Sequence, residues 1–144
     1  MDGSRSREQH LATVVQRVQF LLQNEGLLSR VIEKLPLPVA IFERSGVVRM
    51  ANDLLLQQVG ISGADILDER INLLNRVTNE NYAVFEAVED SFLGDTTVVR
   101  ALVSPLLLFC RGDYEVDFDP YHTAIFFPVP AGDAIAYGAV VLME

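Results

Sequence analysis

Asp113, Glu115, Asp117, Asp119 and His122 place four carboxylates and an imidazole within ten residues, and this is the densest set of potential ligands in the chain. Oxygen donors of this kind suit a hard divalent cation. A calcium loop, however, also needs a glycine at the sharp turn and a fixed ligand spacing, and neither is present here. Two-residue periodicity puts Glu115, Asp117 and Asp119 on one face of an extended segment, so a solvated polar face accounts for them and no metal is expected. Cys110 is the single cysteine. It closes an apolar run with only Arg111 beside it to favour a thiolate, and is read as a small apolar filler. His10 and His122 lie far apart in sequence. There is no glycine-rich phosphate loop, no Gly-x-Ser-x-Gly elbow and no His-Glu-x-x-His pair, so no catalytic residues are assigned and the chain is not expected to be an enzyme. A small enzyme built on a carboxylate pair is the weakest of the functional classes considered.

The elements that would position any site follow from pattern. The chain has 144 residues, half of them apolar and 22% charged, the composition of one folded domain. The net charge of −9 argues against direct nucleic-acid binding, which relies on lysine and arginine neutralising phosphates. One cysteine excludes an intrachain disulfide. With no long apolar run and no signal-peptide pattern, a cytoplasmic chain without a membrane span is expected.

From about Ser6 to Lys34 the spacing predicts helix, with Leu11, Val14, Val18, Leu21 and Leu28 at heptad a and d positions and Glu25 interrupting the row. Such a stripe must pack on something. Contact with the same helix of a second subunit is favoured over folding back across its own sheet, which makes these five residues dimerisation candidates and residues 1–34 a separate segment. Leu35-Pro36-Leu37-Pro38 ends the region. Val39 to Phe42 and Val47 to Met50, separated by Ser45-Gly46, predict a hairpin, with Arg49 as the polar half of an alternation. Asn52 is expected to cap a helix from Asp53 to Val59 that Gly60 ends. Short helical turns are expected at Ala64–Leu67 and Ile71–Arg76. A longer helix spans Glu80–Leu93, capped by Thr78 or Asn79, with Tyr82, Phe85, Val88, Glu89 and Phe92 on one stripe. Three strands then follow, Val98–Cys110, His122–Val129 and Ile135–Met143. Pro105 interrupts the first, predicting a bulge, an edge or a later strand start, or instead a hairpin of Leu106–Cys110 with Tyr114–Phe118.

This order of elements is α+β, a sheet with helices on one side. It resembles the PAS domain family over roughly Leu27 to Glu144. The likeness is carried by Leu35-Pro36-Leu37-Pro38-Val39-Ala40-Ile41-Phe42, by Ser45-Gly46-Val47-Val48-Arg49-Met50-Ala51-Asn52, and by Phe126-Phe127-Pro128-Val129 followed by Gly132-Asp133 and Tyr137 to Leu142. The resemblance implies a five-stranded antiparallel sheet in the order 2-1-5-4-3 over residues 35–144, with helices packed on one face around a small cavity. It also implies a sensory and dimerisation module of a signalling or transcription-regulatory protein, a homodimer joined to a kinase or DNA-binding output domain that this chain does not contain. Ile41 and Met50 are expected to face the helices, with Phe85, Phe92, Phe127 and Tyr137 as neighbours lining a pocket for a small apolar ligand; Arg100 and Ser104 would add polarity if their strand faces inward. Flavin photochemistry is not expected, because no Asn-Cys-Arg type motif is present, and haem is not expected, because Glu80–Leu93 has no histidine. The sequence departs from the pattern after Met143-Glu144, where an acid-x-threonine linkage is missing; either the chain has been cut there or the output is attached differently. A ligand-free interaction scaffold is the alternative function.

Overall fold

The computed structural model describes Ala12, residues 32–112 and residues 116–144. The dimerisation candidates Leu11, Val14, Val18, Leu21 and Leu28 lie outside the described residues, as do Asp113 and Glu115 of the acidic cluster. The five strands are β1 (Val39–Phe42), β2 (Val48–Ala51), β3 (Thr97–Val99), β4 (Thr123–Ala131) and β5 (Ala134–Met143). They form one antiparallel sheet in the order β2-β1-β5-β4-β3, the order that the family resemblance implies. Between β2 and β3 run α1 (Asp53–Val59), α2 (Gly63–Leu67), 3-10 turns at Leu73–Arg76 and Asn79–Asn81, and α3 (Ala83–Phe92).

The strand-to-helix joint at Asn52 does more than cap. Its Oδ1 accepts the Leu55 N–H at 3.1 Å, the helix cap, and also the Val39 N–H at 3.1 Å, while its Nδ2 donates to the Leu37 carbonyl at 2.7 Å. The residue is fully buried. One amide therefore fastens the entry to β1, the end of β2 and the start of α1. Gly60 closes α1 in the left-handed region at φ 67°.

The expected strand Val98–Cys110 is corrected. Only Thr97–Val99 is strand, and Pro105–Phe109 is a 3-10 turn with Pro105 at its start and Leu106, Leu108 and Phe109 buried. A proline lacking its N–H is well placed in the first turn of a helix, where that donor would be unpaired anyway. Asp119 Oδ2 accepts the next free donor, the Leu106 N–H, at 2.8 Å, and Asp119 Oδ1 accepts the Tyr121 N–H at 3.1 Å. The alternative hairpin from Leu106 is excluded by the same turn. A short apolar run reads alike as buried strand or buried turn.

The sheet has two apolar faces. Ala40, Phe42, Val48, Phe126, Val140 and Leu142 join the core beneath the helices. Val39, Ile41, Ile125, Phe127, Ala139 and Val141 form a second cluster on the opposite face, where Ile32, Leu35, Leu37 and Met50 also pack. A bulge in β2 separates Val48 from Met50: Phe42 pairs with Val48 and Ile41 with Met50, so Arg49 is the extra residue. The bulge sends Val48 and Met50 to opposite faces despite their two-residue spacing. Arg49 stays outside, 2.6 Å from Glu69.

Candidate functional site

Beneath the helices the core gathers around an aromatic cluster. Phe42 stands edge-on to Phe92 and to Phe126, with ring centroids 6.1 Å apart in each pair. The Phe42 ring lies against Gly138, where a Cβ would come within 2.5 Å of its Cζ. Glycine at this position makes room for the aromatic cluster.

α3 positions the nearest open surface. Val84, Ala87, Val88, Ser91 and Phe92 are its buried residues. This stripe is turned from the expected one, because the small residues Ala87 and Ser91 face the sheet and let the helix approach closely, and Ser91 Oγ donates to the Ala87 carbonyl at 3.0 Å. Tyr82 and Phe85 are thereby left at the surface, stacked on one another at 6.1 Å. The expected cap at Thr78 is also corrected: Thr78 makes no side-chain cap bond, and helix proper starts at Ala83, after the 3-10 turn that holds Asn79.

Two grooves flank this region. One, of about 330 Å³, is lined by Arg44, Leu74, Phe85, Val88, Glu89, Phe92 and Leu93. The Arg44 guanidinium lies over the Phe92 ring, 5.3 Å from its centre, within cation–π range. The other, of about 360 Å³, lies between the turns at Leu73–Arg76 and Asn79–Asn81 and the start of Pro105–Phe109. Much of its polarity is used internally. Arg76 donates to the Leu107 carbonyl at 3.3 Å and the Gly112 carbonyl at 2.9 Å, and Asn81 pairs with Val103 through both its amide oxygen and nitrogen, at 3.1 and 2.8 Å. Ser104 lines this groove, in a left-handed backbone conformation, instead of facing inward from a strand.

Of the six expected pocket residues, only Phe85 and Phe92 come together, in the apolar groove beside α3. Ile41, Met50 and Phe127 are corrected to the far face of the sheet. Tyr137 pairs with Val129 across β4 and β5, which places it on that far face too, partly exposed. The physical reason is phase. Val39-Ala40-Ile41-Phe42 and Phe126-Phe127 are apolar at every position, so a strand buried on both faces carries no alternation to show which side meets the helices. Arg44 and Leu74 carried no sequence signal, since they come from a turn and a 3-10 segment; Val88, Glu89 and Leu93 follow from Phe85 by helical spacing.

The titratable groups fit structural roles. Burial pushes the Cys110 thiol up, with a smaller opposing effect from Arg76, and its Sγ–H donates to the Leu106 carbonyl at 3.4 Å. The Asp65 carboxyl is held below its ordinary value of 3.8, first by the Ser62 N–H, then against some desolvation by Arg111, the Ser62 hydroxyl and Arg70. This is a capping box: Asp65 Oδ2 accepts the Ser62 N–H at 3.0 Å, and the Asp65 N–H donates to Ser62 Oγ at 3.4 Å. A group whose pKa is lowered on folding stabilises the fold above its unfolded pKa and loses that contribution as pH falls through the folded one. The melting-temperature gap between the parent chain and Asp65→Asn is therefore expected to be widest above about pH 5 and to shrink as pH drops below 3.8. A gap unchanged from pH 7 to pH 3 in thermal melts would remove this assignment. Among the described residues no group of three or more histidines, cysteines and acids is placed to hold a metal, and no helix is long and apolar enough to cross a membrane.

No family model and no curated protein sequence matches this chain. Solved structures do. A sensory box sensor histidine kinase from Vibrio cholerae superimposes with a TM-score of 0.52 at 13% identity, covering 93% of this chain and 94% of the other. The PAS domain of an HTR-like protein from Haloarcula marismortui gives 0.52 at 10% identity over 96% and 98%. A LOV protein from Rhodobacter sphaeroides gives 0.54 at 19% identity over 89% and 67%. The strand order, the helices gathered between β2 and β3 on one face, and these superpositions agree that this chain has the fold of a PAS domain.

Proposed function

We propose that this chain is a sensory and dimerisation module of a cytoplasmic signal-transduction or transcription-regulatory protein, relaying ligand or partner binding to an output domain, and not an enzyme. Residues 35–144 form the sensing domain and residues 1–34 the dimerisation segment. The observation that carries the reading is the position of the sheet between two apolar layers. α3 and the groove beside it rest on one face, and the segment leading in from residue 32 rests on the other. Displacing α3 therefore bears on strands whose far side meets that segment, and two packings of sheet and helix would be biased by whatever occupies the groove. The groove beside α3 supports an input at the surface. The scaffold alternative is the case in which partner contact alone is read.

Light scattering after size-exclusion chromatography tests the dimer. The full chain is expected at twice its monomer mass and a chain lacking residues 1–30 at the monomer mass; monomers in both cases would sink this part of the reading. Native mass spectrometry of freshly purified protein separates ligand sensing from scaffolding by a retained mass or a bare one.

A further inference from the structure

Tyr82, Phe85, Glu86, Glu89 and Leu93 recur at three- and four-residue steps, so they share the face of α3 turned away from the sheet. Tyr82 is 58% exposed, Phe85 37% and Leu93 75%. This apolar stripe continues into the groove of about 330 Å³ floored by Leu74, Val88 and Phe92. From Tyr82 to Leu93 it runs about 16 Å, the length of three helical turns. The charges carried by α3 itself are all acidic. Glu86 and Glu89 are exposed and have no ion-pair partner among the described residues, where Arg49, Arg70 and Arg111 pair instead with Glu43, Asp65, Asp68 and Glu69. Residues 35–144 contain six arginines and no lysine against sixteen acids. Among the described residues the cation lining the groove is Arg44, which lies over the Phe92 ring, so the aromatic wall already receives a guanidinium.

We propose that this stripe and groove dock a basic amphipathic helix of a partner protein. A large apolar side chain of the partner fills the groove between Phe85 and Phe92, and lysines or arginines beside it meet Glu86 and Glu89. This is the helix-in-groove mode, with apolar anchors setting affinity and complementary charge setting orientation and salt dependence. The inference stands whether or not the protein also senses a small molecule.

The test is fluorescence anisotropy of a labelled 18-residue amphipathic leucine–lysine peptide titrated with the full chain at low and physiological salt. A scrambled peptide of the same composition and a leucine–glutamate peptide serve as controls. The amphipathic basic peptide is expected to bind at least tenfold more tightly than either control. The double variant E86Q/E89Q is expected to weaken binding about five- to tenfold, as two exposed charge pairs would. Asp117→Asn with Asp133→Asn removes the same charge elsewhere and is expected to change little. Leu93→Ala and Phe85→Ala each weaken binding severalfold; Leu93 is exposed enough for its variant to fold normally. Equal weakening by the Asp117/Asp133 pair, or equal binding of the scrambled peptide, would reduce the interaction to net charge and overturn the proposal. A protein dimer that both apolar variants dissociate, with no peptide bound, would show that a second copy occupies the groove, and would overturn it too.

Discussion

Asn52→Ala is expected to lower the unfolding free energy by about 3 kcal/mol, well above the ~0.5–2 kcal/mol of a helix cap alone. The cap to Leu55 is one of three bonds. Alanine would also strand the Val39 N–H and the Leu37 carbonyl, the groups through which Asn52 holds the strand entry. A buried donor or acceptor left without a partner costs about 1–3 kcal/mol, and water entering the site would relieve part of this. Asn52→Asp divides the effect, because it keeps the acceptor for Val39 and Leu55 but puts a second acceptor against the Leu37 carbonyl. Urea denaturation of the parent, alanine and aspartate variants gives the comparison. An alanine variant within 1 kcal/mol of the parent would mean that Asn52 acts as a cap and nothing more.

The second large effect is in the aromatic cluster. Phe42→Ala is expected to cost about 3–5 kcal/mol, the range for deleting a buried aromatic ring, since Phe42 is fully buried between Phe92 and Phe126. Gly138→Val should cost about 1–3 kcal/mol by overpacking, because even a Cβ there would press on the Phe42 ring. The two changes are coupled by contact. In the Phe42→Ala background the valine enters vacated space, so the double variant is expected to be more stable than the sum of the two single costs allows. A double-mutant cycle from denaturation midpoints reads this directly, and strict additivity would show that Gly138 is not shaped by Phe42. The cycle also bears on function. If Phe42→Ala takes up an apolar dye that the parent does not, the Phe42 ring occupies space that a small molecule could otherwise fill.

Much of the framework was legible because its signals are local. Proline ends the entry segment, Ser45-Gly46 turns the first hairpin, Asn52 and Gly60 bracket α1, and glycine and aspartate separate β4 from β5. Each acts through backbone conformation or a bond to a near neighbour, so residue type and spacing are enough. The site was less legible. Phe85 and Phe92 were found through helical periodicity, whereas Arg44 and Leu74 reach the same groove from segments without a period.

Residue types and their spacing determined the first hairpin, the Asn52 cap and the bounds of α1, because these follow from backbone chemistry within a few residues, while the strand order came from the family resemblance. Tertiary structure alone decided which side of the sheet each apolar residue serves. Ile41, Met50 and Phe127 belong to the far face, Phe42 and Phe126 to the helical one. In β1 and β4 both faces are buried, so their sequences have no polar phase, and in β2 a bulge at Arg49 reverses the alternation. It also decided that Pro105–Phe109 turns instead of pairing, since Asp119, distant in sequence, supplies the partner for the Leu106 N–H.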